Sequence, residues 1–181
     1  MSNKVVARFE KVTFEQFKKA FEETGVNSII SSIIEGEDGI KHLYDKIMLP
    51  HRSTKRSSGY DFSYPYNLMI PYNTSVIIPT GIRCVFTEDG YDLNMQPRSG
   101  LGFKFRLQLD NTIGLIDNDY AEADNEGHIM LKLTCLDHKE RPCIIPANKG
   151  YAQGVIREFF LAEEEGITNQ RTGGMGSTDN N

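Results

Sequence analysis

The sequence lacks any apolar run close to the roughly 20 residues that a helix needs to cross a bilayer. Its first residues, Met1 to Val6, also lack the long apolar core of a secretion signal. Cysteine is scarce: Cys84, Cys135 and Cys143 are an odd number at wide spacing. Such cysteines are typical of reduced, mostly buried thiols rather than of a disulfide framework. We therefore expect a cytoplasmic protein that does not cross a membrane.

Positive charge is also in short supply, because 20 Lys and Arg residues stand against 25 Asp and Glu, a formal net charge of -5. A protein that coats nucleic acid needs a basic face, so this balance argues against nucleic acid as a partner. A nucleotide site is still allowed, since it needs only a few local cations. Cys135, His138 and Cys143 could supply three zinc ligands, but a fourth ligand is missing.

The chain is long enough, at 181 residues, for one domain with a sizeable core. Residues 1–45 are interpreted as an N-terminal extension with short helices. Thr13 and Gln16 form a capping-box pattern, apolar residues follow at helical spacing, and Gly25 is a natural stop. Ile29 to Ile34 predict a second short helix. Two helices with one apolar face each usually serve packing or oligomer formation rather than chemistry.

From residue 46 onward, short apolar runs alternate with turn residues, which predicts an all-β fold of the jelly-roll or barrel-like kind. The predicted strands are residues 5–9, 46–49, 60–63, 75–78, 82–86, 92–96, 103–109, 128–133, 143–145 and 151–160. We place the β domain at residues 46–162. Residues 163–181 turn acidic and then rich in glycine and threonine, so they predict a flexible C-terminal tail.

Residues 95–120 carry the chemistry that organises the chain. Arg98 offers a guanidinium, Ser99 a hydroxyl, and Gly100 a bare backbone that an anion can approach closely. Downstream, Asp117 stands on a turn beside the ring of Tyr120. A cationic phosphate grip with a carboxylate that activates water is what hydrolysis of a phosphoanhydride requires. The glycines and hydroxyls of residues 171–178 fit either a phosphate-wrapping flap or a disordered end.

The order of these patterns resembles the trimeric dUTP pyrophosphatase (dUTPase) family, which has five short motifs. The matching stretches are Ser-Gly-Tyr-Asp at 58–61, Pro-Arg-Ser-Gly-Leu at 97–101, residues 111–120, Tyr-Ala-Gln at 151–153, and Gly-Gly-Met-Gly-Ser-Thr at 173–178. The resemblance covers about residues 47–178 and leaves the first forty-odd residues outside. One tetrapeptide would be weak evidence, but five in this order, with Asn111 and Tyr120 correctly placed around Asp117, are strong.

The resemblance implies hydrolysis of dUTP to dUMP and pyrophosphate, with Asp117 as the general base that directs water at the α-phosphorus. It implies that Tyr120 lies flat against the deoxyribose and that Asn111 and its neighbours, including Gly114, pair with the uracil edge. The remaining nucleotide contacts that it implies are Arg98, Ser99, Gly100, Gln153, Arg171, Met175, Gly176 and Ser177. Asp61 either supports the site or simply caps a turn.

The same resemblance implies a homotrimer with shared active sites and a tail that closes over bound nucleotide. It also implies Mg²⁺ held mainly by the triphosphate, since no Asp/Glu cluster is spaced as an all-protein cage. The chain departs from the family in four places: an acidic insertion at 121–126, a missing arginine in the fourth motif, Met175 in place of an aromatic or histidine, and Arg171 displaced by one position.

Two alternatives stay open at the level of sequence. One is the related dCTP deaminase or a bifunctional version of it, although residues 116–120 fit the dUTPase pattern better. The other is a regulatory module that binds a protein partner, for which the N-terminal helices and the loop at 121–126 offer extra surface. Single residues also have plain structural interpretations: Arg98 as a surface ion-pair residue, Tyr120 as a core aromatic, and Asp119 as a turn residue.

Overall fold

Strands dominate the computed structural model, which describes residues 4–163. Within that range the strands are β1 (Ala7–Lys11), β2 (His51–Arg52), β3 (Gly59–Ser63), β4 (Leu68–Ile70), β5 (Ser75–Pro79), β6 (Ile82–Phe86), β7 (Tyr91–Pro97), β8 (Leu107–Leu109), β9 (Gly114–Ile116), β10 (Met130–Cys135), β11 (Cys143–Ile145) and β12 (Gly150–Glu158). The helices of the same range are α1 (Phe14–Thr24), α2 (Gly36–Lys46) and α3 (Ser99–Phe105), with short 3₁₀ helices at Val26–Ile29 and Tyr120–Glu122. None of these helices has the length and apolar character of a membrane span.

Helix α1 begins and ends where the sequence predicts. Thr13 has extended backbone at the N-cap, and its hydroxyl accepts a hydrogen bond from the Gln16 amide at 3.3 Å. Gly25 ends the helix with a φ of 65°, a left-handed conformation that glycine adopts without strain. The helix buries Phe17 and Phe21 against the rest of the protein, so the first predicted helix is confirmed.

The second predicted helix, at Ile29 to Ile34, is wrong. Ile30 instead makes an isolated antiparallel bridge with Leu68, and the Asn27 side chain bonds the backbone N–H and C=O of Ile34 at 3.1 and 2.9 Å. These tertiary and side-chain bonds replace the hydrogen bonds of a helix in this stretch. The second α-helix is α2, which begins at Gly36 and ends at Lys46.

All pairs of strands in the four sheets are antiparallel. The largest sheet has the order β2-β3-β12-β7-β9, and a second sheet has the order β5-β10-β8. Two strand pairs, β1-β6 and β11-β4, complete the arrangement among the described residues. The predicted all-β fold of the jelly-roll kind is confirmed, although no sheet in residues 4–163 closes into a barrel.

Two predicted strands need correction. Residues 46–49 form no strand, because Lys46 still belongs to α2 and Ile47 serves as its C-cap. Residues 103–109 divide into the end of α3 and the strand β8, with Arg106 between them at a φ of 48°. In the sequence, apolar residues alternate with polar ones over residues 103–109, as in a strand. Helix α3 instead buries Phe105 and leaves Phe103 93% exposed.

One hydrophobic cluster joins the N-terminal helices to the sheets. It includes Val12, Phe17 and Leu43 from the N-terminal segment together with sheet residues such as Leu93 and Leu133. The described part of the N-terminal segment, residues 4–45, therefore packs into the same core as the β domain rather than onto its outside. The three cysteines are free and buried, as the sequence predicts.

Candidate active site

Strand β12 lies between β3 and β7 and brings three of the predicted site residues together. In this register Gln153 of β12 lies opposite Asp61 of β3 on one side and Gln96 of β7 on the other. Arg98 follows directly after β7, and its backbone N–H donates to the Tyr151 carbonyl at 3.2 Å. Antiparallel pairing thus joins residues that are widely separated in the sequence.

Asp61 and Arg98 form an ion pair between Oδ1 and Nη1. Ser53 Oγ donates to the other carboxylate oxygen, Asp61 Oδ2, at 2.5 Å. The Asp61 side chain is 11% exposed, whereas the Arg98 side chain is 40% exposed. The carboxylate is therefore held inside, and the guanidinium that it orients keeps a solvent-accessible part that can bind an anion.

The side chain of Gln153 lies close to Gly59. A Cβ atom at residue 59 would lie 2.5 Å from Gln153 Oε1, which is shorter than real carbon contacts allow. The missing side chain lets the Gln153 carboxamide lie over β3, near the Asp61–Arg98 pair. A side chain at residue 59 would have to displace the end of the Gln153 side chain.

A cleft of about 340 Å³ connects this cluster with the turn between β8 and β9. It is lined by Arg98 and Ser99 on one side and by residues 107–110 and Thr112 on the other. Asn111 is exposed in this turn, next to Thr112 in the left-handed region at a φ of 65°. Gly114 is buried in β9, where a Cβ atom would lie 3.0 Å from Met95 Cβ.

Asp117 follows β9 and stands at a different cleft. Ile116 pairs with Leu93 of β7, so Asp117 lies next to Asp92, and both line a cleft of about 1100 Å³. The apolar part of this cleft includes Phe159 and exposed residues Leu115, Phe160 and Leu161. The Asn118 side chain holds the turn by donating to the carbonyls of Glu88 and Tyr91 at 2.9 and 3.0 Å.

Arg98 and Asp117 lie far apart within one chain. Asp117 is beside Asp92 near the start of β7, and Arg98 follows the end of the same strand. Six residues of extended chain separate these positions, which corresponds to about 20 Å. The cationic cluster and the carboxylate that the sequence places in one stretch thus belong to opposite ends of β7.

Tyr120 lies in the 3₁₀ helix after Asp117 and is 5% exposed. Its hydroxyl accepts a hydrogen bond from Asn125 Nδ2 at 3.0 Å and lies 3.4 Å from the carbonyl oxygen of His128. The ring is therefore fixed from the inside of the protein. Sequence reasoning missed Asn125, although the Asn-Glu-Gly turn at 125–127 was a signal for a specific loop conformation.

The other predicted site residues are placed as follows. Ser99 and Gly100 are exposed at the start of α3. Asp119 is exposed beside Asp117. The tail residues Arg171, Met175, Gly176 and Ser177 lie outside the described residues.

Three comparisons place these features among known proteins. The family model described as dUTPase matches residues 45–178. The deoxyuridine 5′-triphosphate nucleotidohydrolase of Lactococcus lactis is 35% identical over 135 residues, which are 73% of this chain and 88% of that protein. The crystal structure of dUTPase from Streptococcus mutans has a TM-score of 0.56 at 31% identity and covers 66% of this chain and 91% of its own.

A variant dUTPase from phage phi11 of S. aureus shares the fold with a TM-score of 0.53 at 19% identity, over 70% of this chain and 94% of its own. The family match spans most of the chain and agrees with the relatives in both sequence and fold. The chain therefore belongs to the dUTPase family.

Proposed function

We propose that this protein hydrolyses dUTP to dUMP and pyrophosphate. Membership of the dUTPase family carries the proposal, because the family match includes Asp61, Arg98, Asp117 and Gln153 in their expected order. The reaction removes dUTP, which keeps uracil out of DNA, and supplies dUMP for thymidylate synthesis. The three buried free thiols support the expected cytoplasmic location.

In this proposal Asp117 holds and polarises the water that attacks the α-phosphorus. A carboxylate can do this near neutral pH when it lies within hydrogen-bond reach of the water. Half-buried at the end of β9, Asp117 stands at an open cleft where substrate can approach. The inward-held ring of Tyr120 lies against the deoxyribose, and the exposed turn around Asn111 offers backbone groups to the uracil edge.

The phosphate chain binds at the other cluster. Arg98 supplies the charge, and its orientation by the buried Asp61 carboxylate supports this role. Ser99 and Gly100 add a hydroxyl and an unobstructed backbone, since a Cβ atom at Gly100 would meet nothing within 4 Å. Gln153 contributes its carboxamide, and the tail residues Arg171, Met175, Gly176 and Ser177 complete the site when the tail closes over the nucleotide.

The site is shared between subunits of a homotrimer. One chain separates Arg98 from Asp117 by about 20 Å of β7, which is too far for both to act on one triphosphate. A neighbouring copy can bring its Arg98 cluster to the Asp117 cleft of the first chain. Apolar residues exposed around Asp117, such as Leu115, Phe160 and Leu161, support a subunit contact at that cleft.

Magnesium enters with the substrate in this proposal. A structural Mg(II) ion is coordinated in the phage phi11 dUTPase variant. Within residues 4–163, no group of three or more His, Cys, Asp or Glu side chains is arranged to hold a metal. Both oxygens of Asp61 already accept hydrogen bonds, so the residues fit a hydrated ion on the triphosphate rather than direct ligation. Such an ion would supply positive charge that neutralises the phosphates.

Pyrophosphate release from dUTP, with dTTP, UTP and dCTP measured alongside in the presence of magnesium, tests the proposal. We expect release from dUTP and little from the other three nucleotides. Release from none of them would contradict dUTP hydrolysis. Formation of a deoxyuridine nucleotide from dCTP would instead indicate deaminase activity.

A further inference from the structure

The acidic loop of residues 121–126 is tied to the start of helix α1. The Thr13 backbone N–H donates to Glu126 Oε2 at 2.8 Å, and the Thr13 hydroxyl donates to Glu126 Oε1 at 2.5 Å. Both carboxylate oxygens of Glu126 are thus engaged by one residue, 113 positions earlier in the chain. A carboxylate at a helix N-terminus also gains from the helix dipole.

The same loop contacts Tyr120 through Asn125, the residue before Glu126. Asn125 Nδ2 donates to the Tyr120 hydroxyl at 3.0 Å, while Asn125 Oδ1 accepts from the Gly127 N–H at 3.1 Å. Gly127 has a φ of 70°, and a Cβ atom there would lie 2.6 Å from Ala121 Cα. The loop therefore closes tightly on the 3₁₀ helix that carries Tyr120, and Asn125 is fixed at both ends of its side chain.

Helix α1 gives this loop a rigid support. The Phe17 ring of α1 is 0% exposed and lies 6.3 Å from the His128 ring, measured between centroids. His128 lies two residues after Glu126 and accepts a hydrogen bond from the Gly81 N–H at 2.9 Å. A continuous set of contacts thus runs from the buried face of α1, through Glu126 and Asn125, to the hydroxyl of Tyr120.

We propose that Thr13, Glu126 and Asn125 are positioning residues, through which helix α1 fixes the Tyr120 ring for selection of deoxyribose over ribose. The inference rests on the proposed function, in which the face of Tyr120 excludes a 2′-hydroxyl. Helix α1 precedes the residues that the family model matches, and this role gives the N-terminal segment a function in catalysis. Small displacements of a positioned group are costly, so loosening the loop weakens the discrimination.

The readout is the ratio of kcat/KM for dUTP to kcat/KM for UTP in the full-length protein. Partial unfolding lowers both rates by the same factor, so a merely structural effect leaves this ratio unchanged. Thr13→Val removes the hydroxyl at nearly constant shape, and Thr13→Ser keeps it. We expect Thr13→Val to lower the ratio by about threefold to tenfold, and Thr13→Ser to retain it.

A charge-matched pair tests the loop itself. Glu126→Gln should lower the ratio, and combining it with Thr13→Val should add little, because the two side chains form one contact. Asp124→Asn removes the same charge from an exposed position of the loop and should leave the ratio unchanged. If Asp124→Asn lowered the ratio as much as Glu126→Gln, the loss of negative charge from the loop would explain both results, and the proposal would be overturned.

The link to Tyr120 has its own test. Tyr120→Phe removes the hydroxyl and keeps the ring, so it should lower the ratio. Asn125→Ala, introduced into the Tyr120→Phe variant, should lower the ratio little further. If the wild-type protein hydrolyses dUTP, and Thr13→Val and Glu126→Gln have the same dUTP-to-UTP ratio as the wild type, the positioning role alone is overturned. A wild-type protein that does not hydrolyse dUTP would overturn the proposed function and this inference with it.

Discussion

Asp117 stands at the point where β9 leaves the large sheet, half-buried beside an open cleft. Asp117→Asn keeps the size of the side chain and removes the negative charge that polarises water. We expect near wild-type binding of dUTP and a loss of roughly 10²–10⁴ in kcat. Asp119→Asn, at the exposed neighbour, should have near wild-type turnover. Near-normal turnover of Asp117→Asn would remove this residue from the mechanism.

His128 is a buried titratable residue whose tautomer follows from its contacts. Its Nε2 accepts a hydrogen bond from the Gly81 N–H, so the proton of the neutral ring is on Nδ1. Nδ1 has no hydrogen-bond partner among the described residues. Burial lowers the pKa of His128 from its usual 6.5 to about 4, against a smaller opposing effect of Glu126. The ring is therefore neutral at physiological pH.

This depressed pKa predicts how stability changes with pH. Between pH 6.5 and about 4 the unfolded chain binds a proton at His128 that the folded protein does not. The contribution of neutral His128 to the free energy of unfolding is thus fully present above pH 6.5. It decreases by about 3 kcal/mol as the pH falls toward 4. His128→Gln should flatten this part of the pH dependence of the free energy of unfolding, measured by urea titration. An unchanged slope in the variant would assign the pH dependence to other groups.

At the scale of elements, caps, turn residues and apolar spacing predict helices and strands well where residues close in sequence determine the structure. Helix α1 follows its Thr13 cap and Gly25 stop, and most strands between residues 59 and 97 have nearly the predicted bounds. The failures are at places where distant residues decide. Ile30 bridges to Leu68 instead of joining a helix. The end of α3, residues 103–105, is predicted as strand because apolar residues recur at every second position over 103–109.

The N-terminal helix is part of the core, which predicts a large effect of truncating its central side chain. Phe17 is 0% exposed and packs against Phe21 and Tyr44 at centroid distances of 6.1 and 5.6 Å. Phe17→Ala should lower the free energy of unfolding by about 3–5 kcal/mol, measured by chemical denaturation. Lys19→Ala, on the exposed face of the same helix, should change it little. A small effect of Phe17→Ala would show that α1 is an independent appendage.

At the scale of the whole molecule, motif order in the sequence predicts which residues carry the chemistry, and these site residues stay a prediction. It does not predict how far apart they lie. Motif order identified Arg98 and Asp117 because family resemblance depends on local patterns. Their separation at opposite ends of β7 follows from strand register, which local patterns do not reveal. If the reaction needs both residues, as proposed above, the site would have to combine two copies of the chain.

Mixed trimers test this sharing directly. Arg98→Gln subunits and Asp117→Asn subunits should each be inactive alone but should regain pyrophosphate release from dUTP when they are co-expressed. If each site takes Arg98 from one chain and Asp117 from the next around the ring, about one site in four of an equal random mixture is intact. Co-expression of Arg98→Gln with the double variant should stay inactive. If the mixture of Arg98→Gln and Asp117→Asn subunits is no more active than this control, both residues act from the same chain.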